Sequence, residues 1–105
     1  MMQKSNREYM ELYHAILSLQ TEEECSAFLD DLFTIAELKA AAQRIKVARL
    51  LYTGSTCNAA AKETGASTAT VSRVNKCLNY GPGGYRTVLD RMLEVPQQNE
   101  AESEE

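Results

Sequence analysis

A chain of 105 residues with 44% hydrophobic and 25% charged residues has the make-up of one soluble globular domain, which argues against fibrous and multidomain architectures. No apolar run approaches the ~18–20 residues of a membrane span, and the opening MMQKSNREYMELYHAIL lacks the basic, apolar and small-residue zones of a signal peptide. The formal net charge is −4, so any polyanion must be held by local rather than overall charge, and the expectation is a cytoplasmic protein with no membrane partner.

In chain order, Tyr9, Leu12, Tyr13, Ile16 and Leu19 recur at helical spacing and predict an amphipathic helix over residues 5–19. Thr21 followed by Glu24 has the form of a capping box, and Cys25, Phe28, Leu29, Leu32 and Phe33 form the stripe of a second helix. Thr34 with Glu37 starts the third and longest helix. Its apolar row is Leu38, Ala41, Ala42, Ile45, Ala48, Leu51 and Tyr52, and Gly54 stops it. Residues 56–64 form an Ala-rich helix of a turn or two closed by Gly65, and Ser67 or Thr68 caps a further helix to about Leu78. Gly81-Pro82-Gly83-Gly84 breaks the chain before a last helix marked by Tyr85, Val88, Leu89, Met92 and Leu93.

Pro96 ends that helix, and the acidic residues 96–105 have nothing large and apolar to bury, so they are expected to be disordered. The fold class is thus all-α, about six helices in a single domain over residues 1–95. Long apolar stripes with few short helices to cover them predict a homodimer. Cys25, Cys57 and Cys77 are widely spaced, with His14 the one histidine and no CxxC. Reduced thiols at half-buried positions are expected, with no disulfide framework and no metal site.

Charge is segregated. Between Lys39 and Arg91 there are nine cations against two acids, a balance of +7, while the rest of the chain carries −11. Within the basic part, residues 56–79 have the form of a helix-turn-helix. Ala60 and Ala61 are small where a second helix would cross, Gly65 suits a turn with positive φ, and Val71, Val74 and Leu78 fall on one side. Ser67, Thr68, Ala69, Thr70, Ser72, Arg73 and Lys76 lie toward the other side or the N-terminal end, with Asn58 and Lys62 on the preceding helix. Short donors and acceptors at a helix N-terminus with cations further along suit entry into a major groove, with Lys62, Arg73 and Lys76 on phosphates and Thr68, Thr70 and Ser72 near base edges. The expected partner is double-stranded DNA. The competing reading is a helical interaction module whose hairpin binds another protein. An enzyme is not indicated, because no acid–base pair, Cys–His arrangement or phosphate loop is legible.

The pieces LFTIAELKAAAQRIKVARLLYTG and AKETGASTATVSRVNKCLN resemble the Trp-repressor family, and most of all its TrpR-related YerC/YecD branch, over about Tyr9 to Leu93. The resemblance implies an intertwined all-α homodimer of six helices per chain, with the fourth and fifth forming the DNA-binding hairpin. It also implies a repressor. In tryptophan-regulated members two arginines flank the bound indole and a Thr precedes the third helix; Arg44, Arg73 and Thr34 match those positions. Two departures bear on the ligand: Val74 stands where those repressors have Gly, and Cys77 where they have a Ser that meets the ligand's amino group. The loop after Gly54 is also one residue shorter. Extra methyl groups in an occupied space cost roughly 1–3 kcal/mol, and a thiol is a weaker partner than a hydroxyl. No cofactor is certain. A small-molecule corepressor over Thr34, Arg44, Arg73, Val74 and Cys77 is an open expectation, with free L-tryptophan a poor candidate.

Overall fold

Six α-helices follow one another through residues 6–94, the part of the chain that the computed structural model describes, and no strand occurs among the described residues. They are α1 (Asn6–Leu17), α2 (Glu22–Leu32), α3 (Ile35–Tyr52), α4 (Cys57–Thr64), α5 (Thr68–Tyr80) and α6 (Gly84–Glu94). The expectations for Pro96 and for a disordered tail over 96–105 fall outside the described residues.

The helix starts follow from local chemistry. Thr34 Oγ1 accepts from the Glu37 N–H at 3.1 Å while the Glu37 carboxylate accepts from the Thr34 N–H at 2.9 Å, a complete capping box for α3. At α2 the box is displaced: Thr21 Oγ1 accepts from the Glu24 N–H at 3.0 Å, but the Glu24 carboxylate accepts from Gln20, one residue earlier than a standard box. Gly54, at φ +111°, lies just beyond α3 in a conformation that disfavours a side chain.

Contacts divide the chain into two compact units, residues up to Leu38 and residues from Lys39 onward. In the second unit Val47, Ala48, Ala66, Val71, Val74, Leu78 and Leu89 form the core, flanked by Leu51, Tyr52, Ala61 and Tyr85. Val47, absent from the apolar row expected of α3, is fully buried, whereas Ile45 of that row is exposed. The core sector of α3 is rotated toward Val47 and Ala48, which leaves Ile45 at the edge. Among the described side chains of α6 only Leu89 is fully buried; Val88, Met92 and Leu93 remain exposed. The first unit has no buried residue among those described, although it carries Leu12, Ile16, Leu17 and Phe33. Cys25 is half-buried as expected, but Cys57 and Cys77 are exposed, because the first lies in the opening turn of α4 and the second on the rim of an apolar groove; all three are free thiols.

Candidate nucleic-acid interface

The hairpin α4–α5 is assembled from short-range bonds. Thr56 caps α4, its hydroxyl oxygen accepting from the Ala59 N–H at 3.1 Å. Ala60 is completely buried, and its methyl group lets α5 approach closely. Gly65 closes α4 in the left-handed region at φ +76°, its N–H donating to the Ala61 carbonyl at 2.8 Å. Thr64 stitches the turn: its hydroxyl donates to the Ala60 carbonyl at 2.8 Å and accepts from the Ala66 N–H at 3.1 Å. Ser67 then caps α5, accepting from the Thr70 N–H at 3.0 Å and donating to the Thr70 hydroxyl at 3.1 Å.

This frame decides what α5 shows to solvent. Val71, Val74 and Leu78 are buried on one side. Thr68, Ala69, Ser72, Arg73 and Lys76 are exposed around the opposite side, as are Ser67, Asn58 and Lys62. Among the described residues Lys62, Arg73 and Lys76 have no ion-pair partner, so their charge is available to a ligand. Thr70 differs from its neighbours: it is half-buried and its hydroxyl is engaged by Ser67. A cleft of about 250 Å³ brings Asn58 of α4 together with Thr68 and Ser72 of α5. Cys57, Val71 and Asn75 complete its lining. Sequence reasoning missed Cys57 and Asn75 here, although Thr68, Ser72 and Asn75 share a helical stripe that could have identified Asn75.

The five residues expected around a small ligand have different environments. Thr34 caps α3 in the first unit. Arg44 is half-buried on α3, Arg73 is exposed on α5, and Val74 is 1% exposed within the core. Cys77 lines an open apolar groove of about 440 Å³ with Ile45, Pro82, Gly84, Tyr85 and Val88. Of the five, only Cys77 lines that groove. No group of His, Cys, Asp and Glu able to hold a metal ion occurs among the described residues. No described helix is long and apolar enough to cross a membrane.

Two charged residues counted within the basic segment serve the scaffold. The Arg86 side chain of α6 donates from Nη2 to Asn79 Oδ1 at 3.5 Å, and its guanidinium lies over the Tyr52 ring, 5.3 Å from the centroid. The Tyr52 hydroxyl donates to the Asp90 carboxylate. That bond, together with burial and the Asp90 charge, raises the phenol above its ordinary value, opposed by Arg86. Arg86 and Asp90 therefore tie α6 to α5 and α3 and are less available to an outside ligand.

Comparison with known proteins agrees with this architecture. The family model described as Trp repressor protein matches residues 7–93. The uncharacterised protein YerC of Bacillus subtilis (strain 168) is 52% identical over 89 residues, covering 85% of this chain and 86% of YerC. The crystal structure of a TrpR-like protein from Eubacterium eligens ATCC 27750 is 42% identical with a TM-score of 0.78, covering 87% of this chain and 94% of that one. A Trp repressor candidate from Staphylococcus aureus is 41% identical with a TM-score of 0.80, covering 89% of this chain and 93% of its own. The chain belongs to the Trp-repressor family, in the TrpR-related branch represented by YerC.

Proposed function

We propose that this chain is a sequence-specific DNA-binding transcription regulator of the cytoplasm, a repressor that works as a homodimer by occupying its site. The observation that carries the reading is the outward side of α5, where Thr68, Ser72, Arg73 and Lys76 are exposed opposite a buried Val71–Val74–Leu78 side. A two-fold pair of such helices enters successive major grooves about one turn, ~34 Å, apart and selects a near-palindromic site. Pairing of chains is supported by the apolar surface left open on one chain, with Leu17 at 78% and Ile35 at 81% exposure. Val74 supports independence from free L-tryptophan, because its side chain already occupies packed space.

The test is selection of duplexes from a random pool by gel shift at two salt concentrations, with and without L-tryptophan. Enrichment of a palindrome, weakened by salt and indifferent to tryptophan, supports the proposal. Absence of any salt-sensitive shift removes DNA as the partner and leaves the protein-interaction reading.

A further inference from the structure

A second charged surface lies beside the hairpin, outside the residues assigned above. Lys39, Gln43 and Lys46 share one stripe of α3, and together with Ala40, Ala42 and Thr64 they line a groove of about 390 Å³. The groove is built against the end of α4. Gln43 Nε2 donates to the Thr64 carbonyl at 3.4 Å, while the Thr64 hydroxyl is already committed to the Ala60 carbonyl. Ala40 and Ala42 keep the α3 side low. Both lysines are exposed, and among the described residues neither has an ion-pair partner. The groove thus presents two free ammonium groups and no carboxylate, which suits an anion.

Resting on the DNA-binding reading, we infer that the Lys39–Gln43–Lys46 groove is an accessory seat for the DNA sugar–phosphate backbone, flanking the hairpin. Position argues for this occupant. Thr64 is the last residue of α4, and the chain runs from it through Gly65 and Ala66 directly to Ser67, the cap of the helix offered to the bases. Lys62, exposed in the last turn of α4, adds a cation on the hairpin itself two residues before Thr64. Seven residues of helix rise about 10.5 Å, and a DNA strand places a phosphate roughly every 3.4 Å along its axis. The two lysines are therefore about three phosphate steps apart along that axis. Lysine suits this role, because a flexible point charge needs no fixed base geometry. The groove should contribute affinity and salt dependence without base preference.

The experiment measures binding of a fluorescent duplex, taken from the selected pool, by anisotropy across a salt series. The proteins are the full chain, Lys39→Ala/Lys46→Ala, Lys39→Arg/Lys46→Arg, and Arg7→Ala/Arg91→Ala as a charge-matched control outside the groove. Circular dichroism melting of each variant confirms an unchanged fold. The expected result is a log–log salt slope reduced in magnitude by about 2 per protomer for the alanine pair, with the order of preferred sequences retained. The arginine pair and the control should keep the parent slope. A parent that binds DNA while the alanine pair keeps its slope overturns this inference alone, as does an equal loss in the control. A parent with no salt-sensitive binding overturns the DNA reading itself. Inorganic phosphate that binds in calorimetry to the parent but not to the alanine pair, with unchanged DNA slopes, reassigns the groove to a free anion and overturns the backbone seat.

Discussion

The Arg86 Nε donates a hydrogen bond to the Leu78 carbonyl oxygen at 2.9 Å, so a side chain of α6 satisfies a backbone acceptor in the last turn of α5. Helix ends leave carbonyls without intrahelical partners, and here the donor comes from the next helix. The orientation of α5 is therefore coupled to α6. Arg86→Ala removes this bond, the Asn79 contact and the stacking on Tyr52, and should destabilise the chain by about 1–2 kcal/mol. Urea unfolding measures that loss. DNA affinity should fall while the preferred sequence stays the same, because Arg86 touches the scaffold rather than a base.

Tyr52 makes alkaline stability a specific expectation. Its proton is held more tightly in the folded chain than in an unfolded one, whose phenol titrates at about 10. The contact with Asp90 therefore stabilises fully below pH ~10 and is lost as the pH rises through the higher folded value. Ultraviolet titration should show one phenolate, absent in Tyr52→Phe, appearing at higher pH than a free tyrosine. Appearance of that phenolate at or below the ordinary tyrosine value would contradict the assignment.

Gly65 and Gly84 should respond oppositely to alanine. At Gly65 an added Cβ meets nothing within 4 Å, yet φ is +76°, so the cost is one of backbone conformation. Gly65→Ala should destabilise by roughly 1–2 kcal/mol. Gly84 opens α6 without positive φ and also has open space, so Gly84→Ala should stabilise by about 0.4–1 kcal/mol. Thermal melts of the two variants compare the signs directly.

Lys76 and Ser72 share the exposed side of α5 and are expected to act differently. Lys76→Ala should weaken binding to all duplexes and lower the salt slope by about 1 per protomer. Ser72→Ala, within the cleft shared with Asn58 and Thr68, should change which sequences are selected. Thr70→Ala acts partly through the Ser67 cap and should also lower stability by a fraction of the ~1 kcal/mol that a cap contributes. Parallel selections with the three variants separate these effects.

Val74, at 1% exposure, is packed with Val47, Val71 and Leu78. Val74→Ala should cost about 1–3 kcal/mol through lost burial and the space left behind. Calorimetry with L-tryptophan should give no binding in the micromolar range for the parent. A micromolar site in the parent would show that Val74 does not occupy the ligand's space.

The caps, turns and helix order were legible because their causes lie within a few residues. Thr34 with Glu37 and Gly65 act on their own backbone neighbours and appear where the sequence places them. Of the two caps it offered for α5 the structure uses Ser67, and the Thr56 cap of α4 was not foreseen. The buried side of α5 was legible for a related reason: Val71, Val74 and Leu78 fall at helical spacing. The faces of α3 and α6 were less so, because several apolar sectors compete and only the neighbouring helices select Val47 over Ile45 and Leu89 over Val88.

Likewise, no local rule tells a cation that faces solvent from one that holds a helix end. The sequence alone determined six helices in order and a basic hairpin with one polar side, while helix ends moved by a residue or two. The helix expected over 5–19 is Asn6–Leu17, and the one expected to reach Leu78 runs to Tyr80. Tertiary structure decided that Arg86 serves Leu78, that Gln43 reaches Thr64, and that Asn75 shares a cleft with Asn58. These contacts join different helices, and their formation depends on the mutual packing of whole helices.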